Sequence, residues 1–428
     1  MKFENLKYKK VGIWGMGKEG TAVQKVLSHL VPEAKLFPFS DDNLDVLYTC
    51  DVVVKSPGVS LYRDEIQKAV QKGVQFTSGT SLFLENRPKT TKVIAITGTK
   101  GKSSTSSLLY HTMKNLGYSV ALGGNIGYPL IQFLEDPPTD YVVAELSSYM
   151  CADATGDIDM AVLLDLYPEH TNWHQTVQRY YMDKIVLVAR ADKIIINGTD
   201  PGIHSNFNNA LDTLTYNTPQ DFHLKNGFFY DGKKKCFARE KLSLLGEHNA
   251  ENACAVLTVL KQLGDLNFPK IEEAFSTFEP LPHRLQTVWK TKNLIFVDDS
   301  ISTTPETALA ALNAYPDTAK IVLLIGGEKR AQDFTDLAHF VAKSKGRITI
   351  IGMPDVGTEC VEAVLDEKGA AFTRQDLKEA LQVSIQLLEN KGGIILLSPA
   401  APSYNLYKNF EERGDEFKRL AQELAPNP

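Results

Sequence analysis

The stretch Val93-Ile-Ala-Ile-Thr-Gly-Thr-Lys-Gly-Lys-Ser-Ser-Thr-Ser-Ser107 decides the fold of this chain. Its first five residues are apolar or β-branched, which predicts a short buried strand. Small, flexible and charged residues follow, and then Leu109, Met113 and Leu116 recur at the spacing of a helix face that ends at Gly117. The pattern predicts a strand, a loop and a helix whose first N–H groups face an anion.

The loop between this strand and this helix has the residue types of a phosphate-binding loop. Glycines let the backbone approach phosphate oxygens, Lys102 would neutralise the outer phosphates, and the Ser103 hydroxyl would bind Mg²⁺. The first glycine stands only three residues before the second, closer than in G-x-x-x-x-G-K-[ST], so a plain glycine turn is the alternative. The flanking strand and helix favour a nucleotide. The loop residues expected to contact it are Gly98, Thr99, Lys100, Gly101, Lys102, Ser103 and Ser104.

Length and composition restrict the class of protein. A chain of 428 residues is long enough for two or three domains, and a net charge of −6 argues against a nucleic-acid partner. The five cysteines are odd in number and scattered, which is typical of reduced thiols in a cytoplasm. No segment approaches about 18 uninterrupted apolar residues, so we expect no membrane partner. The sequence predicts a soluble cytoplasmic monomer that binds small molecules.

A second glycine motif lies near the N-terminus. Gly15, Gly17 and Gly20 form G-x-G-x-x-G after a short strand and before an apolar helix stripe. The strand Asp51–Lys55 ends in Ser56-Pro57-Gly58, which places small residues at the same carboxyl edge of a parallel sheet. A tight turn without a ligand is the alternative to a dinucleotide site. We expect residues 1–88 to form a Rossmann-like domain.

Residues 89–282 are predicted to form a central domain around the phosphate loop. Uniformly apolar strands indicate a parallel sheet that is covered on both faces, and Gly202–Phe237 predicts turns and short antiparallel strands. The strands expected in this sheet are Val93–Thr97, Tyr141–Leu146, Met160–Leu166 and Lys193–Ile196. Glu145 and His170 follow strands at the loop's edge, and Lys184 lies on a helix that returns to it. Taken alone, Glu145 would be an acid paired with a cation, His170 a structural histidine and Lys184 a surface lysine.

Residues 283–428 alternate strands with helices again, after the proline-rich crossing Phe278–Arg284. The strands expected there are Leu294–Val297, Ile321–Ile325, Ile348–Ile351 and Ile394–Leu397. The whole chain is therefore predicted as an α/β protein of three domains. These are a Rossmann-like N-terminal domain, a central P-loop ATPase-like parallel-sheet domain and a C-terminal Rossmann-like α/β domain.

The order and spacing of the motifs resemble the Mur ligases of peptidoglycan synthesis along nearly the whole chain, and the glutamate-adding members most closely. The segment Asn409–Phe417, the last of these motifs along the chain, is the most diagnostic for glutamate addition. The motifs that carry the resemblance are Gly98-Thr-Lys-Gly-Lys-Ser103, Gly124-Asn125-Ile-Gly127, Glu145-Leu-Ser-Ser148, Glu169-His170 with Lys184, His248-Asn249, Pro282-His-Arg284, Asp299-Ser300, Ser398-Pro-Ala and Asn409-Phe-Glu-Glu-Arg-Gly-Asp-Glu-Phe417.

The resemblance implies an enzyme whose three domains bind the UDP of the substrate, ATP and the incoming amino acid. It implies that the carboxylate of UDP-MurNAc-L-Ala attacks the γ-phosphate of ATP to give an acyl phosphate. The amine of glutamate, D-glutamate by the usual pattern, would then displace the phosphate. Because a carboxylate must approach a polyanion, cations are needed to offset the repulsion.

The resemblance also assigns residues to roles. The catalytic residues would be Lys102, His170, Lys184 and Arg284. Two Mg²⁺ ions would be held by Ser103, Glu145, His170 and Lys184. Here Lys184 would be carbamylated, since a carbamate can bind Mg²⁺ and an ammonium would repel it. Asn249, Arg284 and Asp299 would contact ATP, the last at its ribose. The UDP-sugar would contact Gly15, Gly17, Ser56, Asn125 and Ser147, and glutamate would contact Thr303, Arg330, Ser403 and Phe410. Arg330 suits the side-chain carboxylate.

Three residues depart from the family pattern. Ile301 replaces a lysine expected near the phosphates, Glu19 replaces a small hydroxyl residue in the first glycine motif, and Asn172 replaces an aspartate. The departures make a ligase that adds L-glutamate one alternative. Others are the alanine-adding and diamino-acid-adding ligases, folylpolyglutamate synthetase, and a catalytically silent regulator that binds a UDP-sugar or ATP.

Overall fold

The computed structural model describes residues 1–135, 140–207, 212–330, 332–388 and 391–425. The helices of this part are α1 (Lys18–Leu30), α2 (Asp64–Gln71), α3 (Gly79–Asn86), α4 (Lys102–Leu116), α5 (Ser148–Cys151), α6 (Thr171–His174), α7 (Val177–Val188), α8 (Pro201–Asn206), α9 (Glu247–Gln262), α10 (Phe268–Thr277), α11 (Pro305–Asn313), α12 (Thr335–Lys343), α13 (Val356–Asp366), α14 (Leu377–Leu388) and α15 (Phe410–Leu424). Short 3₁₀ helices cover Phe3–Leu6, Asp41–Thr49, Leu130–Leu134 and Arg239–Lys241.

The strands of the same part are β1 (Lys10–Trp14), β2 (Lys35–Phe39), β3 (Val52–Lys55), β4 (Gln75–Thr77), β5 (Lys92–Thr97), β6 (Val120–Gly124), β7 (Tyr141–Glu145), β8 (Ile158–Leu163), β9 (Ala191–Asn197), β10 (Thr213–Tyr216), β11 (Phe222–Lys225), β12 (Phe228–Asp231), β13 (Lys234–Ala238), β14 (Gln286–Lys290), β15 (Leu294–Asp298), β16 (Ile321–Gly327), β17 (Ile348–Asp355), β18 (Ala370–Thr373) and β19 (Gly393–Leu397). Strands and helices alternate along most of the chain, which confirms the α/β class.

The chain divides into two compact units. The first contains Met1–Ser243 and His248–Phe278, and the second contains Leu244–Glu247 and Glu279–Pro428. The first unit holds two separate parallel sheets, one before and one after residue 88. The finer division into three domains at residues 88 and 282 stays a prediction. Across the part of the chain that is described, no helix is both long enough and apolar enough to cross a membrane.

The N-terminal sheet has the strand order β2-β1-β3-β4, and all of its pairings are parallel. Val11, Ile13 and Val54 of this sheet are buried against Val23 and Val26 of α1. The strand β2 is not among those predicted from the sequence. It carries Pro38 and lies at the edge of the sheet, where a strand can accommodate a proline. The carboxyl ends of β1 and β3 carry the glycine motif and the loop that begins at Ser56.

The central sheet has the order β10-β9-β8-β5-β7-β6, and it is parallel throughout. Its predicted strands are confirmed, with bounds shifted by up to three residues. The strand β5 lies between β7 and β8 in the sheet. After β5 the chain forms β6 and β7 on one side of it, and then continues to β8 on the other side. The phosphate loop therefore stands where open α/β sheets bind ligands.

The region from Gly202 to Phe237 contains more structure than the sequence predicts. The antiparallel sheet β11-β12-β13 is as expected, but α8 and the parallel edge strand β10 also lie here. The helix forms because Asp200 caps it, accepting from the Ile203 N–H at 2.7 Å, and Pro201 suits the first helical position. Residues 208–211 of this region lie outside the described residues.

The sheet of the second unit has the order β14-β15-β19-β16-β17-β18, in which only the β14–β15 pairing is antiparallel. Its strands are apolar and buried between helices on both faces. Three loops leave the carboxyl ends of β15, β16 and β19, as the sequence predicts. The N-terminal part of α15 lies beside these loops.

Candidate active site

The phosphate loop joins β5 to α4 with two glycines in conformations that favour glycine. Gly98 has φ +151° and Gly101 has φ +79°. A Cβ at Gly101 would lie 2.4 Å from Asn252 Nδ2, so α9 packs closely against the loop. Lys102 opens α4, and its Nζ donates to the carbonyl oxygens of Gly98 at 3.0 Å and Thr99 at 2.8 Å. The lysine therefore lies within the curve of the loop, where it can meet an anion.

Lys184 extends from α7 to the same loop. Its Nζ donates to the Gly98 carbonyl oxygen at 2.8 Å and lies 3.3 Å from Thr97 Oγ1, and its side chain is buried. Burial, and secondarily the charge of Lys102, lower the pKa of Lys184 to about 7. The position excludes the surface lysine that the sequence left as an alternative.

Glu145 ends β7 with its side chain completely buried. One carboxylate oxygen, Oε1, accepts from Asn125 Nδ2 at 2.8 Å. The other, Oε2, has no hydrogen-bond partner among the described residues. Because an unpartnered buried carboxylate oxygen is unfavourable and Mg²⁺ prefers such ligands, this atom fits a metal ion.

His170 precedes α6 in a left-handed conformation, with φ +54°. Its Nδ1 lies 2.9 Å from the Tyr149 hydroxyl and its Nε2 lies 3.6 Å from Glu169 Oε2. Burial lowers the pKa of His170, Glu169 opposes the shift, and Lys102 adds to it. Glu169 also pairs with Lys100, so the loop and the histidine share one carboxylate.

The predicted metal ligands are of mixed types. Within the described ranges, no group of three or more His, Cys, Asp or Glu side chains is arranged to hold a metal ion. Of these types, the predicted set contains only Glu145 and His170. The remaining donors are Ser103, in the first turn of α4, and Lys184, which can bind a cation only after losing its positive charge.

The N-terminal glycine motif forms a second candidate binding region. Gly15 has φ +89°, and its carbonyl oxygen accepts from Ser56 Oγ at 2.7 Å. Gly17 precedes α1, so the first turn of that helix faces the carboxyl edge of the sheet. Burial raises the pKa of Glu19, in this first turn, to about 7.

In the second unit, the three loops at the carboxyl edge meet around one buried guanidinium. Arg413 donates to Ser300 Oγ at 3.0 Å and the Ser300 carbonyl at 2.8 Å, and to the Gly326 and Ala401 carbonyls at 3.0 Å each. Burial lowers the pKa of Arg413 to about 10. This residue fixes the spacing of the loops that carry the predicted glutamate contacts.

The predicted contacts on these loops differ in exposure. Asp299 is buried, accepts from Ser398 Oγ at 2.7 Å, and has its pKa raised by burial to about 7. Ser403 is buried, whereas Thr303 is exposed and Phe410 is partly buried. Arg330 is 57% exposed and pairs with Glu328 at 2.7 Å.

The remaining predicted positions belong to different elements of the chain. Asn249 is buried in the first turn of α9, three residues before Asn252. Ser147 precedes α5 and is partly buried. Ser104 is also partly buried, in the first turn of α4. Arg284 belongs to the second unit.

Known proteins are similar to this chain over nearly its whole length. A family model described as Mur ligase middle domain matches residues 96–260. A UDP-N-acetylmuramoyl-L-alanine–L-glutamate ligase of Xanthomonas oryzae pv. oryzae is 36% identical, over 98% of this chain and 97% of its own. The chain belongs to the Mur ligase family. This Mur ligase is also 33% identical to the ligase of the same name from Salinispora tropica, over 99% of this chain and 100% of that one.

Solved Mur ligases confirm the fold of this one. The UDP-N-acetylmuramate–alanine ligase MurC of Thermotoga maritima has a TM-score of 0.61 at 17% identity, covering 97% of this chain and 99% of its own. The MurF ligase of the same organism, in complex with ADP, has a TM-score of 0.59 at 16% identity, covering 98% of this chain and 97% of its own. As a Mur ligase, the chain is an ATP-dependent enzyme that forms amide bonds. The family in general uses ATP with Mg²⁺.

Sequence reasoning missed several residues around the site of this Mur ligase. Asn252 touches the phosphate loop, but its motif suggested only a helix entry turn. His174 is buried and Asp183 is partly buried behind the predicted metal ligands, and each stands near one of them in sequence. Arg413 lies in the motif Asn409–Phe417, which is recognised in the sequence without a role assigned to the arginine. The proximity of Asp183 to Lys184 and of His174 to His170 in the sequence was a signal that could have found these two residues.

Proposed function

We propose that this Mur ligase joins L-glutamate to UDP-MurNAc-L-Ala with cleavage of ATP to ADP and phosphate. The observation that carries the proposal is the full-length similarity, at 33–36% identity, to relatives named for that reaction. Their names favour L-glutamate, the alternative that the departures suggested, over D-glutamate, the first expectation from the sequence.

The chemistry requires a carboxylate to approach the γ-phosphate of ATP. Lys102 lies in the phosphate loop and would offset the negative charge, and Arg284 is assigned the same task. The substrate carboxylate oxygen forms the bond to phosphorus while the bond to ADP breaks. The glutamate amine then forms the amide bond as phosphate leaves with the C–O bond pair and the amine loses a proton.

We infer that Ser103, Glu145, His170 and a carbamylated Lys184 would hold two Mg²⁺ ions. The ions would supply positive charge that stabilises the transferring phosphoryl oxygens. Lys184 supports this assignment because its lowered pKa leaves a large neutral fraction near pH 7. A neutral amine forms a C–N bond with carbon dioxide and releases a proton, which leaves a carbamate anion. The free Oε2 atom of Glu145 supports the first metal position.

We assign glutamate to the loops held by Arg413, through Thr303, Arg330, Ser403 and Phe410. Arg330 is the natural partner of a carboxylate because its planar group can form two parallel bonds. In the structure Arg330 pairs with Glu328. The side-chain carboxylate of the incoming glutamate would therefore compete with the Glu328 carboxylate for Arg330.

The test is phosphate release from ATP with UDP-MurNAc-L-Ala and L-glutamate, D-glutamate or no amino acid. We expect release with L-glutamate, and a product whose mass has grown by one glutamate residue. Release with D-glutamate alone would overturn the stereochemical assignment. Nucleotide binding without release under any condition would favour the silent regulator.

A further inference from the structure

A chain of hydrogen bonds lies behind the predicted metal ligands and has no part in the chemistry above. Asp183 Oδ2 lies 2.5 Å from His174 Nδ1, and His174 Nε2 lies 2.9 Å from Ser148 Oγ. The other carboxylate oxygen of Asp183, Oδ1, accepts from the Tyr62 hydroxyl at 2.6 Å. The four side chains join the loop after β3 to the beginning of α5.

The chemical types of the two side chains fix the direction of the bond between His174 and Asp183, and both are shielded from solvent. The side chain of His174 has no exposed surface and that of Asp183 is 12% exposed. A carboxylate can only accept, so His174 Nδ1 carries the hydrogen of its bond to Asp183. Ser148 is 3% exposed, so this serine, histidine and aspartate do not form a hydrolytic triad, whose serine must reach a substrate.

Three of the four side chains stand near a residue of the proposed site in the sequence. Ser148 directly follows Ser147, and Asp183 directly precedes Lys184. His174 ends the short helix that begins after His170. A change in these hydrogen bonds would therefore move the backbone that carries the predicted ligands.

Aromatic packing strengthens the connection to His170. The ring of Tyr149 stacks on Trp173 at 4.8 Å and on His174 at 5.6 Å. The hydroxyl of the same tyrosine lies 2.9 Å from His170 Nδ1. The position of His174 is thus transmitted to His170 through one rigid ring.

At the Tyr62 end, this series of hydrogen bonds reaches the loop 56–63. The loop begins with Ser56, which is predicted to contact the UDP-sugar. Three more hydrogen bonds join this loop to the segment after His170. Ser60 Oγ donates to the Trp173 carbonyl at 2.7 Å, and Trp173 Nε1 donates to the Gly58 carbonyl at 3.2 Å. Gln175 Nε2 donates to the Tyr62 carbonyl at 3.2 Å. The loop is therefore seated directly on the elements behind the metal site.

We propose that Asp183 is a positioning residue for the phosphoryl-transfer site. By accepting from Tyr62 and pairing with His174 at the same time, it aligns the predicted Mg²⁺ ligands and makes that alignment depend on the seating of the loop 56–63. The inference rests on the metal assignment of the proposed function. Loss of partners that orient metal ligands commonly weakens metal affinity or activity about 10–100-fold.

The deciding variant is Asp183→Asn, which keeps the shape but replaces one acceptor oxygen with a donor group. It cannot accept from Tyr62 and from His174 at once. The probe is the ATP analogue with a β,γ-imido bridge, whose binding is measured by calorimetry across a Mg²⁺ titration. We expect the Mg²⁺ concentration for half-maximal binding to rise about tenfold or more. Tyr62→Phe, which removes one hydroxyl, should shift it in the same direction by less.

Asp159→Asn is the matched control. Asp159 accepts from Arg87 at 2.7 Å and from the Val93 N–H at 2.8 Å, near the beginnings of β5 and β8. This substitution should lower the unfolding temperature without changing the Mg²⁺ requirement. In steady-state assays, Asp183→Asn should lower kcat and raise the KM for the UDP-sugar, and the Asp159 variant should change neither.

An unchanged Mg²⁺ requirement in Asp183→Asn, with a loss of stability like that of the control, would overturn the inference. If that variant does not fold, Tyr62→Phe decides, and an unchanged requirement there overturns it equally. The binding assay needs neither glutamate nor turnover. A Mg²⁺ shift in a chain that proves inactive with both glutamates would uphold Asp183 and refute only the proposed function.

Discussion

Lys102 and Lys184 direct their side-chain nitrogens at one acceptor, the carbonyl oxygen of Gly98, at 3.0 and 2.8 Å. One carbonyl oxygen cannot offset two ammonium charges in a buried place. Burial and the charge of Lys102 lower the pKa of Lys184 to about 7, so the second amine loses its proton easily. The phosphate loop thus holds one cation for the nucleotide and one near-neutral amine.

Lys184→Met should stabilise the protein in a pH-dependent way. The pKa of Lys184 is about 7 in the folded state and near its ordinary 10.5 when unfolded, so between these values the unfolded state binds more protons. The stability of the wild type therefore rises with pH across this window. Removing the amine should increase the free energy of unfolding by on the order of 4 kcal/mol at pH 6.5 and by about 1–2 kcal/mol at pH 9.5.

Urea unfolding at both pH values, in buffer free of carbon dioxide, measures this difference. Lys193→Met is the control because Lys193 is exposed on β9. A gain that is the same at pH 6.5 and pH 9.5 would contradict the lowered pKa. The Lys184 variant should also lose turnover, and full activity would refute the carbamate.

Glu145→Gln should impair metal binding while it leaves the fold in place. Glutamine can still accept from Asn125 through its oxygen, but its NH₂ group would replace the unpartnered Oε2. We expect the Mg²⁺ requirement for activity to rise at least about tenfold. Mg²⁺ titrations of phosphate release, with circular dichroism as the control for folding, test this. An unchanged Mg²⁺ requirement would remove Glu145 from the metal site.

The parts of the site that the sequence predicts are local patterns. The phosphate loop needs only a strand, glycines and a helix, and these follow one another within Val93–Ser107. Uniformly apolar strands likewise predict a parallel sheet without knowledge of its order. Glu145 and His170 could be placed at the edge of the sheet because each follows such a strand.

The parts that could not be predicted depend on contacts between distant segments. Tyr62 and Asp183 are 121 residues apart and meet only when the loop after β3 lies against α7. Asp200 forms a helix cap that was not recognised, so α8 was missed. The burial of Lys184 follows from the return of its helix to the loop, and no local pattern distinguishes it from a surface lysine.

Glu19→Gln should alter the pH dependence of UDP-sugar binding. Burial raises the pKa of Glu19 to about 7, so its carboxylate is largely neutral below pH 7 and negative above it. Because the diphosphate is predicted to bind at this turn, the ionised carboxylate would repel it. The KM of the wild type for the UDP-sugar should rise several-fold from pH 6 to pH 8.5, and that of the variant should stay flat. An equal rise in both would exclude Glu19 as the cause.

Arg413→Lys should weaken the glutamate site specifically. A guanidinium can donate to Ser300, Gly326 and Ala401 at once because its N–H groups point in fixed directions, whereas a lysine offers one point charge. The freed carbonyl oxygens would be left buried, which should lower the free energy of unfolding by about 3 kcal/mol. The loops would lose their spacing, so we expect the KM for glutamate to rise about tenfold with little change in the KM for the UDP-sugar.

Arg419→Lys on the same helix is the control, since Arg419 is exposed and pairs with Glu423. Equal increases in both KM values would mean that Arg413 supports the enzyme in general and does not position the glutamate loops.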